Sequence, residues 1–149
     1  MAGTRTILNS NNLIIFLLGL LGFSTACHNL GTEYGVPHAD FVVKGSVISS
    51  MDNKGIENIQ LIMQDTVNPY NNDTTYTDEK GNYELSMSDF PTDLTVKVSL
   101  NDIDGTANGE YLPLDTLVVF KDPKFTGGNS DWYNGKTEKI VNIALKPKK

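Results

Sequence analysis

The chain has 149 residues, 39% of them apolar, and carries 18 acidic against 12 basic side chains for a net charge of −6. An acidic balance argues against nucleic acid as a partner, because phosphate binding rests on clustered Lys and Arg. The single cysteine rules out an internal disulfide framework, and the length suits one core of ordinary size.

In chain order, Arg5 is the only charged side chain of the first 32 residues. An apolar run over residues 13–23 follows and closes on Ser24-Thr25-Ala26-Cys27. A basic start, a short apolar stretch and a small-residue exit predict a secretory signal over residues 1–26. The run falls short of the roughly 20 residues that a membrane-spanning helix needs. Cys27, directly after the exit, resembles the modified cysteine of the bacterial lipoprotein lipobox. That resemblance implies cleavage before Cys27 and acylation of its thiol with fatty chains of the palmitate kind. The mature chain would then have 123 residues and, with Arg5 removed, a net charge of −7. A conventional secretory cut would instead leave Cys27 as a free thiol. The implied address is the cell envelope, anchored in the outer membrane. His28-Asn29-Leu30-Gly31 lacks the acidic run that accompanies surface export, which favours the periplasmic face but leaves the choice open.

Residues 27–38 are polar and contain Gly and Pro, the composition of a flexible tether. From residue 39 onward the apolar residues alternate. Phe41, Val43, Gly45 and Val47 form one set, Ile59, Leu61 and Met63 a second, Tyr83, Leu85 and Met87 a third, and Leu94, Val96, Val98 and Leu100 a fourth. Period two over such lengths marks half-buried strands. Two more are predicted over 116–120 and 139–145. Turn clusters rich in Asp, Asn and Gly separate them, at 52–55, 78–82, 102–105 and 127–129. The expected fold is therefore all-β, an antiparallel β-sandwich of about seven strands over residues 39–149. Residues 122–137 are expected to form a long loop.

Within that pattern, Val43-Lys44-Gly45-Ser46-Val47, then Gly55-Ile56-Glu57-Asn58-Ile59-Gln60-Leu61, then Thr77-Asp78-Glu79-Lys80-Gly81-Asn82-Tyr83-Glu84-Leu85 resemble the carboxypeptidase regulatory-like domain. That resemblance implies a transthyretin-like (prealbumin-like) sandwich, the alternative being an immunoglobulin-like one, and it implies no enzyme activity. A second resemblance covers more of the mature chain. Residues 33–41 (Glu-Tyr-Gly-Val-Pro-His-Ala-Asp-Phe) with Lys44-Gly45, Asp102-Ile103-Asp104-Gly105, Asn108-Gly109, Gly127-Gly128 and Trp132-Tyr133-Asn134-Gly135 are similar to the lipoproteins associated with radical SAM enzymes. It implies a radical SAM enzyme as a possible partner. With one cysteine, the chain itself cannot supply the thiolates of a radical SAM cluster.

Candidate chemistry is sparse. Asp102, Asp104, Asn108 and Glu110 place four oxygen-bearing side chains within nine residues and could suit Ca²⁺, which takes six to eight oxygens. Their spacing does not fit an EF-hand, and the alternative is a pair of successive Asp-Gly and Asn-Gly turns. The two histidines, His28 and His38, both fall in the tether, so neither a zinc site nor a Ser-His-Asp triad is expected. Trp132 and Tyr133 either plug the open end of the sandwich or form an aromatic platform for a glycan or peptide. Asp65-Thr66-Val67, Asp73-Thr74-Thr75 and Asp115-Thr116-Leu117 resemble the acceptor motif of a periplasmic O-glycosylation system, with Thr74 the preferred site. The sequence as a whole points to a non-enzymatic, lipid-anchored β-sandwich for binding or assembly, needing no cofactor unless Ca²⁺. The alternative function is to be the modification substrate of the associated radical SAM enzyme.

Overall fold

The computed structural model describes residues 35–129 and 132–148; the predicted signal over 1–26 and Cys27 lie outside them. The described chain is built of β-strands and contains no α-helix. In order these are β1 (His38–Ser49), β2 (Ile59–Asp65), β3 (Asn72–Tyr76), β4 (Asn82–Asp89), β5 (Leu94–Asp102), β6 (Leu114–Phe120), β7 (Thr126–Gly127), β8 (Tyr133–Ile140) and β9 (Ile143–Leu145). One sheet runs β4-β1-β8-β7, with β9 also paired to β1; the other runs β3-β2-β5-β6. The two sheets face each other as a sandwich, as the alternation predicts.

The core follows the period-two pattern residue by residue. Phe41, Val43 and Val47 of β1, Leu85 of β4, Ile59, Leu61 and Met63 of β2, and Val96, Val98 and Leu100 of β5 are all buried between the sheets. Each such side chain contributes about 1.5–3 kcal/mol relative to exposure. Phe41 packs edge-on against both Phe120 (5.2 Å between ring centroids) and Phe125 (5.5 Å), the arrangement that the ring quadrupoles prefer.

The turn predicted over 78–82 forms as the sequence suggests. The Asp78 carboxylate accepts from the amides of Lys80 (2.9 Å) and Asn82 (2.8 Å). Gly81 sits at φ +78°, and a Cβ there would fall 2.3 Å from the Val47 carbonyl oxygen. Thr77, buried just ahead of the turn, accepts the Ile59 amide on its Oγ1 at 2.9 Å.

Three features differ from expectation. There are nine described strands rather than about seven, because polar β3 and the β7–β8 pair lie in segments without apolar alternation. The sandwich is mostly antiparallel, but β8 and β9 both run parallel to β1. The strand predicted over 139–145 is two strands: β8 leaves β1 at Lys44↔Ile140, and β9 rejoins it at Val47↔Ile143. Gly45 lies at that break, where a Cβ would stand 2.1 Å from the Val141 carbonyl oxygen. Residues 126–127 and 133–137, expected within a loop, form strands for the same reason: β8 takes its register from β1, not from its own side chains.

Candidate functional site

Strand directions gather four segments at the end of the sandwich where β1 begins. Ala39 pairs with Asp89, so β4 ends there. Asp65 pairs with Val96, and Leu94 with Phe120, so β2 ends, β5 begins and β6 ends there as well. The Asp65 carboxylate, itself buried, accepts from the amides of Val67 (2.9 Å) and Asn68 (3.1 Å) and shapes the β2–β3 loop. Asn71 Nδ2 then donates to the Ser88 carbonyl (3.2 Å) and Asp89 Oδ2 (2.8 Å), tying that loop to the end of β4. Between them lies a shallow cleft of about 260 Å³, lined by His38, Asn68, Asn71, Ser88, Asp89 and Phe90 among others.

Trp132 and Tyr133 belong to this end. The His38 amide donates to the Trp132 carbonyl at 2.8 Å, and the His38 and Tyr133 rings lie 5.4 Å apart. Tyr133 Oη donates to Asp40 Oδ2 at 2.8 Å, and that bond to the carboxylate raises the phenol's pKa. Tyr133 is half-buried, whereas Trp132 is 42% exposed. Phe125, half-buried, packs edge-on against Phe41 at this end. Its only signal in the sequence is an aromatic within the long predicted loop. Around the cleft, Val67 and Tyr70 are almost fully exposed, at 89% and 93%, and Phe90 is 57% exposed.

The opposite end carries the candidate metal residues. Asp102, Asp104, Asn108 and Glu110 all lie on the β5–β6 connection, and each has a partner. Asp102 Oδ2 accepts the Tyr111 amide (2.8 Å), and Asn108 Nδ2 donates to the Glu57 carbonyl (2.7 Å) and Asp104 Oδ2 (3.2 Å). Glu110 pairs with Lys148, whose pKa is raised first by Glu110 and further by Asp102. The four side chains thus close the two turns. Asp102 Oδ1 and Asp104 Oδ1 remain buried without a hydrogen-bond partner, two oxygens against the six to eight of a Ca²⁺ shell. Among the described residues no group of three or more His, Cys, Asp or Glu side chains gathers as a metal site.

Thr74 is exposed on the edge strand β3, opposite Ile62. Thr66 donates its hydroxyl to the Thr95 carbonyl (2.9 Å), and half-buried Thr116 pairs with Val98 within β6. Of the three acceptor-like motifs, that of Thr74 therefore presents its threonine most openly.

No family model matches the chain, and no curated protein matches it. Solved structures of similar shape include the 3-chlorocatechol 1,2-dioxygenase of Rhodococcus opacus 1CP, at TM-score 0.49 and 13% identity over 78% of this chain. This chain spans 62% of that protein's length. They also include a chlorocatechol 1,2-dioxygenase from Pseudomonas putida, at TM-score 0.48 and 12% identity over 92% of this chain and 83% of that one. A third is the dioxygenase domain of a dioxygenase–carbohydrate-binding protein fusion from Streptomyces sp. SirexAA-E, at TM-score 0.40 and 12% identity, covering 78% of this chain and 86% of the other. At these scores the likenesses bring neither an activity nor a cofactor to this chain.

Proposed function

We propose that this chain is a lipid-anchored, non-enzymatic β-sandwich of the cell envelope that works by binding or assembly. The observation that carries the reading is the order of its parts. A lone cysteine stands at the exit of a short apolar run, and the sandwich begins eleven residues later at His38. Several acyl chains on Cys27 would hold the domain stably at a membrane, where a single chain would be marginal. The resemblance of residues 33–41 with Lys44-Gly45, and of residues 102–105, Asn108-Gly109, Gly127-Gly128 and residues 132–135, to radical SAM-associated lipoproteins supports the same reading.

Contact rather than turnover is supported by how the titratable groups are engaged. Asp65 and Asp78 cap loops, Glu138 is held between Lys44 and Lys136, and His38 Nδ1 lies 3.1 Å from the Val36 carbonyl. Fractionation of a Cys27→Ala variant tests the anchor. The variant should be neither acylated nor cut at residue 27; its recovery from membranes as a processed, acylated protein would contradict the proposal.

A further inference from the structure

Resting on the anchored reading, we propose that the end of the sandwich where β1 begins is a seating surface for a phospholipid bilayer, with Val67, Tyr70, Phe90 and Trp132 as its contact side chains. These four large apolar side chains are exposed, and all stand on the segments gathered at that end: the β2–β3 loop, the residue after β4, and the residue before β8. Val36, also exposed, lies beside them on the cleft that Phe90 lines.

The distribution of aromatic groups separates this end from the other. Among the described residues the exposed aromatic side chains are Tyr70, Tyr76, Phe90 and Trp132, and three of these four are here. The opposite end exposes Met51, Ile103 and Leu112 with a single exposed aromatic, Tyr76, which pairs with Gln60 at the start of β2. Tyr and Trp combine an apolar ring with a polar edge and settle at the headgroup boundary, where one part is apolar and the other wet. Isolated exposed aliphatics need no such explanation.

The length of chain ahead of the domain selects the occupant. From Cys27 to Gly35 the chain advances eight residues, a reach of at most about 29 Å. An acyl group on Cys27 therefore keeps this end near the lipid surface. The far end is displaced by the twelve residues of β1, roughly 40 Å. Lys121 and Lys124, both exposed on the segment leaving β6 at the same end, can meet lipid phosphates while the rings enter the headgroup layer. Val67 and Tyr70 lie at the tip of a loop that Asp65 and Asn71 hold in place from beneath.

Trp132 is the only tryptophan, so its emission reports on this surface alone. The mature protein purified from its own membrane is placed in phosphatidylcholine vesicles, and Trp132 is probed with brominated lipid and with aqueous iodide. The expected result is a blue-shifted emission, quenching by bromolipid and shielding from iodide. A Val67→Ser/Tyr70→Ser variant, altered only at side chains outside the core, should keep its circular dichroism spectrum and lose that shielding. Iodide quenching that is equal with and without vesicles, with bromolipid silent, would overturn the proposal and leave the surface to a soluble glycan or protein. The mass of the peptide containing Cys27 separates this result from failure of the anchor. If Cys27 carries no acyl group, the anchor reading fails on that ground. The same mature chain mixed with vesicles then still decides the surface: a vesicle-dependent shift of Trp132 supports it and its absence overturns it.

Discussion

Thr77→Val isolates one buried hydrogen bond at the join between the sheets. Thr77 is 3% exposed. Its amide donates to the Ile59 carbonyl (3.0 Å), its carbonyl accepts the Asn58 amide (3.1 Å), and its Oγ1 accepts the Ile59 amide (2.9 Å). Valine has nearly the same shape, so no cavity opens and only the hydroxyl acceptor is lost. The Ile59 amide is then buried without a partner, which costs about 1–3 kcal/mol. For a domain of this size, at about 4 °C per kcal/mol, the melting temperature should fall by about 4–12 °C. Thermal unfolding followed by circular dichroism reads the shift, and hydrogen exchange at the Ile59 amide, faster relative to that of Leu61, assigns it to this bond. A Thr77→Val protein as stable as the parent, with Ile59 exchange unchanged, would refute the role given to the hydroxyl.

Gly81→Ala combines a positive φ with a Cβ 2.3 Å from the Val47 carbonyl oxygen; it should cost at least about 2 kcal/mol, read as a lower urea midpoint with the slope unchanged. Hydrogen bonds from Lys136 and Lys44 lower the Glu138 pKa from 4.5 to about 2. Its contribution to stability is therefore full above pH 4.5 and lost as the pH falls toward 2. The gap in urea midpoint between the parent and Glu138→Gln should close over that window; a gap independent of pH would contradict the pairing. Burial pushes the Tyr83 phenol up to about 12, and its Oη donates to the Val141 carbonyl (2.8 Å). Its contribution is thus present below pH 10 and lost as the pH rises toward 12. In an ultraviolet phenolate titration, Tyr83→Phe should remove a late step, and a full set of six tyrosines titrating together in the parent would refute the burial.

How much could be read in advance depended on where the ordering forces lie. Residues 41–47, 59–63, 83–87 and 94–100 carry their own apolar alternation, so the strands they belong to were legible locally. β3 (Asn72–Tyr76) has no apolar face; it exists because Leu61↔Thr75 and the neighbouring pairs recruit it to the edge of β2. β8 is equally opaque, since Gly135 is its only buried residue and its register comes from parallel pairing with a strand about 95 residues earlier. Parallel partners need a long crossover and leave no hairpin signal in the sequence. The Thr77–Leu85 turn was the reverse case, with Asp78, Gly81 and Tyr83 each taking the place that its chemistry suggests.

The site was less legible than the fold for the same reason. Trp132 and Tyr133 stood out as aromatic residues, but their neighbourhood with Val67, Tyr70 and Phe90 arises only when β2, β4 and β8 reach one end of the sandwich. Asp102, Asp104, Asn108 and Glu110 stood out as a cluster. Their partners Tyr111, Glu57 and Lys148 could not all be read from spacing, because two of them come from distant parts of the chain. Cys27 needed no fold to be noticed, since its signal is its position at the end of an apolar run.

The intact mass of the mature protein from its native membrane is the most direct test of the central claim. The expected mass is that of residues 27–149 plus fatty acyl groups on Cys27, with every other residue unchanged except for any glycan on an exposed threonine such as Thr74. A chain beginning elsewhere, or beginning at Cys27 with a free thiol, would contradict the anchored module. A small mass change confined to residues 132–135 would instead make the chain the substrate of a modifying enzyme.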